Sequence, residues 1–280
     1  MALTVDAHLH LWDLDRVEYP WITADLGALH RTFTFAEVEP QLDNAGIDRV
    51  ILVQAANSIE DSAAMFAVAE ENDRVAGVVA WVDLLDPART ATQLDQWAAH
   101  PALVGVRHLI HDEPDPDWLA RDAVRASLAE LARRGLVFDI VGILPRHLEL
   151  ALAIAGELPE LRLVIDHLGT PPIGDADAEP WAGLLTGLAT HPNVAVKLSG
   201  LTTLGPDAPA GPDRLRPYVN HVLEAFGAGR VLFGGDWPVS TAAGNYAQTQ
   251  ATAAELVASL SPSERADVFG GAADRAYRLS

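Results

Sequence analysis

Eight short apolar runs, rich in Val, Ile and Leu, constrain this chain more than any other feature of its sequence. They fall at residues 3–11, 49–56, 75–82, 103–110, 136–141, 161–168, 193–198 and 230–233. Each gives way to polar or Gly/Pro residues and then to helical spacing, as at 62–72, 121–134, 148–157, 181–190 and 218–226. Apolar strands alternating with helices mark parallel βαβ units, whose strands are covered on both faces. Eight such units without a break in composition predict one α/β domain over residues 1–280, closed as a (β/α)8 TIM barrel. An open doubly wound sheet is the alternative, but no glycine-rich phosphate loop follows an early strand. Residues 13–33 and 205–217 are expected to be long loops over one mouth of the barrel.

Apolar residues make up 49% of the 280, enough for an extensive core. The formal charge of −20 repels phosphate backbones and anionic lipid, which argues against nucleic-acid and membrane partners. Without cysteine there is no disulfide framework, thiolate metal site or thiol nucleophile. No secretory signal and no transmembrane span is expected, so the chain reads as cytoplasmic.

In such a barrel the chemistry sits at the C-terminal ends of the strands. Polar residues gather there. In the first run, His8 and His10 share one face of an extended strand while Leu9 and Leu11 take the other. Two adjacent imidazoles can hold a metal ion or polarise a carbonyl; the plainer alternative is a pair of hydrogen-bonded rim histidines. In the sixth run His167 shares parity with Leu163 and Ile165, so it tops their column if these fill the barrel. Asp166 then points away and caps a turn. Asp236 follows the last strand in Gly234-Gly235-Asp236-Trp237-Pro238 and is the best candidate for a general base, with capping of the next helix as the alternative.

Arg107 and His108 have opposite parity. Arg107 is expected to face the axis as an anchor for a carbonyl or carboxylate oxygen, and His108 reaches the mouth only if the strand has ended. Lys197, inside an apolar strand, is either in a buried ion pair or in the site. Trp12, Trp21, Trp81 and Trp237 lie at or after strand ends, where aromatic faces suit a sugar-like ring; packing at the rim is the other reading. Asp139 and Gln54 are weaker polar candidates. His111, His147 and His221 read as surface or loop residues.

Together these residues resemble the amidohydrolase superfamily, in the branch of lactone hydrolases that includes L-fuconolactonase and 2-pyrone-4,6-dicarboxylate lactonase. The resemblance runs through Asp6-Ala7-His8-Leu9-His10-Leu11-Trp12, Tyr19-Pro20-Trp21, Gly105-Val106-Arg107-His108, Val164-Ile165-Asp166-His167-Leu168-Gly169, Val196-Lys197-Leu198-Ser199-Gly200 and the Asp236 segment. It implies that His8, His10 and His167 line the site and that Asp236 activates the hydrolytic water. Arg107 stands where two-metal members carry a bridging lysine, and Asp139 where many metal-bound members carry histidine, so a two-metal centre is not expected. The resemblance leaves two states: no metal required, or one Zn²⁺ on His8, His10 and Asp236 with His167 nearby.

The expected activity is hydrolysis of a lactone, with Asp236, His8, His10 and His167 as the catalytic set. Arg107, His108, Lys197, Trp12, Trp21 and Trp237 are the expected substrate contacts. So few cations in an acidic chain favour a neutral polyhydroxy aldonolactone over a dicarboxylate, unless Arg16, Arg31 or Arg146 reach in from loops. The alternatives are a metal-dependent non-oxidative decarboxylase on the same scaffold and an inactive sugar-binding barrel. Monomer and homodimer are both compatible with the sequence.

Overall fold

A computed structural model describes residues 3–174, 177–205 and 208–279. Its strands are β1 (Val5–Leu9), β2 (Arg49–Val53), β3 (Val75–Ala80), β4 (Leu103–His108), β5 (Val137–Ile140), β6 (Arg162–Ile165), β7 (Val194–Leu198) and β8 (Val231–Phe233). They form one parallel eight-stranded sheet in sequence order. The seam closes just beyond β8, where Asp236 N donates to His8 O and His10 N donates to Trp237 O, both at 2.7 Å. The result is the (β/α)8 barrel that the alternation predicts.

Helices α1 (Phe35–Ala45), α2 (Ile59–Glu71), α3 (Pro87–Trp97), α4 (Asp122–Arg134), α5 (Pro145–Glu157), α6 (Trp181–Ala189), α7 (Pro212–Phe226) and α8 (Tyr246–Leu256) follow the strands in turn; α9 (Pro262–Ala266) and α10 (Ala272–Tyr277) end the chain. Local chemistry sets their starts. Asp86 accepts from Ala88 N and Arg89 N at 3.0 and 3.1 Å, and Pro87 occupies the first turn of α3, where its missing N–H costs nothing. The same device corrects the expected loop at 205–217. Pro212 begins α7, so the second half of that segment is helix, while residues 206 and 207 lie outside the described residues. Among the described residues no helix is long and apolar enough to cross a membrane.

The barrel interior has two halves. Toward the N-terminal ends of the strands it is aliphatic, with Val5, Ile51 and Leu232 in one cluster with Tyr277 of α10. Toward the C-terminal ends Arg107, Asp139, Asp166 and Lys197 take over, all buried. Pairing irregularities decide which side chains make that turn inward. The β1–β2 register shifts between Asp6 and Leu9, so Ala7 packs in the barrel while His8 also turns inward. Between β3 and β4 the register shifts after Val78, which lets both Val104 and Arg107 face the axis.

Candidate active site

The floor of the site is a set of neutral imidazoles around one carboxyl. His8 Nε2 lies 3.1 Å from His10 Nε2, and Asp236 Oδ1 lies 3.7 and 3.6 Å from these two atoms. His10 Nδ1 donates to Val53 O at 2.7 Å, because a carbonyl can only accept, and this leaves His10 Nε2 as an acceptor for His8 Nε2. Lys197 Nζ donates to His8 Nδ1 at 3.0 Å, which places the His8 proton on Nε2, toward His10. Burial pushes both imidazoles well below the usual histidine range, and Lys197 adds to the effect on His8. His167 packs its ring 4.6 Å from that of His8 and bonds Ser199 Oγ through Nδ1 at 2.9 Å.

Asp236 is buried, with φ of 52°. The backbone reaches this position because Gly234 lets the chain pass against His8: a Cβ there would sit 2.6 Å from His8 Cβ and 3.0 Å from Ser199 Cβ. Burial raises the Asp236 carboxyl to about 8, against the pull of Arg107. It therefore holds a proton at neutral pH and is a strong base once that proton leaves.

An ionic column supports this floor. Asp166 Oδ2 accepts from Arg107 Nη1 at 2.9 Å, and Asp166 Oδ1 lies 3.0 Å from Lys197 Nζ and 3.3 Å from His8 Nδ1. Lys197 Nζ donates to Asp139 Oδ2 at 2.6 Å, and Tyr277 OH bonds both Asp139 oxygens at 2.8 and 2.9 Å. Burial alone would raise Asp166, but Lys197, His8 and Arg107 outweigh it and hold that carboxylate well below its ordinary value. Asp139 is raised by burial to about 6, opposed by Lys197. Arg107 Nη2 donates to Gln54 O at 2.5 Å and Nη1 lies 3.4 Å from His8 Nε2, so a fixed positive charge faces the floor.

Above lies a cavity of about 290 Å³. His10, Arg107, His167 and Asp236 form its polar base, with His8 directly beneath. Trp21, held by its Nε1 on Ala55 O at 2.6 Å, forms one wall. Leu109, Val141, Ile143, Leu204 and Val239 make the remaining wall mostly aliphatic, with His111, Thr170 and Thr203 as polar points.

Several expected contacts are placed elsewhere. Lys197 lies under the floor, in the ion pair that was its alternative reading. His108 turns away from the cavity: it accepts from Trp81 Nε1 at 3.0 Å, bonds Glu113 Oε1 at 2.7 Å and stacks on Trp118 at 4.1 Å. Trp12 and Trp237 are buried behind Trp21 against Phe33, with Trp12 Nε1 on Arg31 O. Only Trp21 of the three expected aromatic contacts reaches the cavity. Arg31 pairs with Glu37 and Arg146 with Asp117 and Glu149, so neither enters it, and Arg16 lines a neighbouring cavity across Trp21.

The parity assigned to β6 is reversed. Val164 packs in the barrel, so Asp166 tops its column and enters the ionic network rather than capping a turn. His167 reaches the floor as well, because the strand ends at Ile165 and His167 adopts a left-handed φ of 52°. A run apolar on both faces carries no parity signal. His111 is exposed, as its surface reading expects, and also lines the cavity; His147, which had read as a surface or loop residue, is buried with Nδ1 accepting from Leu144 N at 3.4 Å.

The donor set suits a single cation. Three ligand atoms on His8, His10 and Asp236 converge at 3.1–3.7 Å, near the edge of about 3.3 Å that bonds of ~2.0–2.1 Å impose on a tetrahedral zinc site. His10 presents its lone pair already oriented by Val53 O. His8 would have to move its proton from Nε2 to Nδ1, where Asp166 Oδ1 at 3.3 Å can accept it.

Comparison with known proteins bears on the fold and the family. The chain is 38% identical over 285 residues to L-fucono-1,5-lactonase of Burkholderia ambifaria, covering 100% of this chain and 97% of that protein. It is 32% identical to L-fucono-1,5-lactonase of Burkholderia multivorans, covering 99% and 97%. A crystal structure of an amidohydrolase from Burkholderia multivorans with bound zinc superposes at a TM-score of 0.88, with 31% identity and 100% of both chains covered. The amidohydrolase profile matches residues 5–279, and the chain belongs to the amidohydrolase family.

Proposed function

We propose that this protein is a lactonase that opens a neutral sugar-derived lactone, with L-fucono-1,5-lactone as its model substrate. The observation that carries the reading is Asp236. It is a buried carboxyl with its proton held near neutrality, at the base of a cavity that also presents Arg107, in a chain similar end to end to two L-fucono-1,5-lactonases. Arg107 is the sole lysine or arginine among the residues lining the cavity, which suits a neutral ligand better than a dicarboxylate. The aliphatic wall of Val141, Ile143, Leu204 and Val239 suits the methyl end of a 6-deoxy sugar.

In this mechanism ionised Asp236 accepts a proton from water as the water oxygen bonds to the lactone carbonyl carbon. Arg107 stabilises the oxyanion that forms. His10 cannot do so while neutral, because its Nε2 has no hydrogen and accepts from His8 Nε2. The carbon–oxygen bond of the ring then breaks, and Asp236 returns its proton to the departing oxygen. A zinc ion held by His8, His10 and Asp236 would supply Lewis acidity at the same carbonyl. Arg107 already provides positive charge there and a lactone is a reactive ester, so hydrolysis is expected to persist after chelation.

The test is hydrolysis of L-fucono-1,5-lactone followed with a pH indicator, against the spontaneous rate and against Asp236→Asn. Acid release well above background that is lost in the variant is expected. A rate no faster than background overturns the lactonase reading, and activity abolished by chelator and restored by zinc overturns the metal-independent mechanism.

A further inference from the structure

At the end of the barrel away from the catalytic floor, a cavity of about 230 Å³ lies between the starts of β6 and β7 and helix α10. Arg162, Arg230 and Arg275 line it, and among the described residues no carboxylate does. This runs against the composition of a chain with 39 acidic residues to 19 basic ones.

Among the described residues two of these guanidinium groups have only carbonyl partners. Arg162 donates to Ala276 O at 2.5 Å and to Gly135 O. Arg230 donates to Phe226, His191, Val194 and Ala189 carbonyls at 2.8–3.2 Å. Carbonyl oxygens satisfy N–H groups but do not cancel a charge, and burial lowers both arginines from their ordinary value. Arg275 is 54% exposed and uses Nη2 for both its bonds, to Gly229 O at 3.2 Å and to Asp267 Oδ1 at 2.8 Å. Its Nε and Nη1 have no hydrogen-bond partner among the described residues. The rest of the wall includes Val194, Ala195 and Ala276.

We propose that this cavity binds a small oxyanion, a carboxylate or phosphate head group set among Arg162, Arg230 and Arg275 with any short carbon body against Ala195 and Ala276. The ligand neutralises charge that the protein itself leaves uncompensated. It also ties α10 to the starts of two strands, and α10 carries Tyr277 into the barrel beneath Asp139.

Thermal melting in inorganic phosphate, in propionate and in sodium chloride at matched ionic strength tests the site. At ten times the Kd of a bound anion the melting temperature should rise by roughly 2–3 °C over chloride. A response to phosphate alone identifies a phosphate head, a response to propionate alone a carboxylate, and a response to both a general oxyanion site. Arg275→Gln should lose the response. Asp267→Asn, which frees Arg275 from its internal carboxylate, should lower the Kd measured by titration calorimetry at least threefold and keeps the test independent of how well the first variant folds. Equal melting in all three salts, a response unchanged in Arg275→Gln, or an unchanged Kd in Asp267→Asn would overturn the proposal.

Discussion

Replacing Asp236 by Asn should make the metal-free protein more stable while removing its activity. The side chain is 5% exposed, and burial moves its carboxyl from 3.8 to about 8. The folded state therefore keeps a proton that the unfolded state releases above pH 4. The stability this group contributes is fully present below pH 4 and is lost as pH rises through 8, at up to ~1.4 kcal/mol per unit. At pH 7 the loss reaches about 4 kcal/mol relative to a side chain that never ionises. An amide is such a side chain, although the His10 Nε2 lone pair 3.6 Å from the present Oδ1 already accepts from His8. Imperfect hydrogen bonding of the amide lowers the net gain to about 2 kcal/mol. Urea unfolding of both proteins in chelator at pH 5, 7 and 8.5 should show the variant's advantage growing between the first two and levelling beyond 8. The kcat of the variant should fall by ~10²–10⁴-fold or more. A variant less stable than wild type at pH 7, or an advantage that does not change with pH, would refute the reasoning.

The activity of the chelated wild type should rise with pH to a midpoint near 8, since Asp236 works as a base only when ionised; a rate profile flat from pH 6 to 9 counts against it. Lys197→Met leaves Asp139 and Asp166 buried without their ammonium partner, and chemical unfolding should show a loss of ~3–5 kcal/mol. Gly234→Ala drives a methyl into His8 Cβ at 2.6 Å, so kcat should drop at least about tenfold, with stability lower by ~1–3 kcal/mol. Trp21→Ala removes a cavity wall that touches ground and transition states alike, so steady-state kinetics should show a KM raised ~10-fold with kcat nearly unchanged.

The barrel was legible because its signal is redundant: eight apolar runs and the helices between them report the same architecture, and an error at one end of a helix leaves the count intact. The site was legible where chemistry is local. His8 and His10 share a face by strand geometry alone, and Asp236 follows the last strand. What failed was parity. Leu161 to Ile165 is buried on both faces, so nothing in the run distinguishes the face of Val164 from that of Leu163. Asp166 was thereby sent outward and given a cap, although three of its neighbours in space, His8, Arg107 and Lys197, come from other strands and could not be seen from its own. The register shifts in β1 and β4 are invisible for the same reason, being set by pairing between strands. Tryptophans misled differently. Trp12 and Trp237 stand at strand ends, but the loop carrying Trp21 and Phe33 folds over them, and a long connection's path is not written in its composition.

In the proposed mechanism the buried column lets one carboxyl, Asp236, serve as both acid and base. Arg107 and Lys197 are met by Asp139 and Asp166, so the column is electrically closed while Asp236 holds its proton. Ionising Asp236 unbalances it by one negative charge, and burial, opposed by Arg107, raises the proton affinity of Asp236 into the range where water can be deprotonated near neutral pH. The same imbalance disappears when the proton comes back from water, leaving the new charge on an oxyanion beside Arg107. Transfer of charge from Asp236 to the substrate thus moves it toward the guanidinium, and the return step needs no second acid. Such a site can protonate the ring oxygen of a lactone as the ring opens, with the proton that Asp236 took from water.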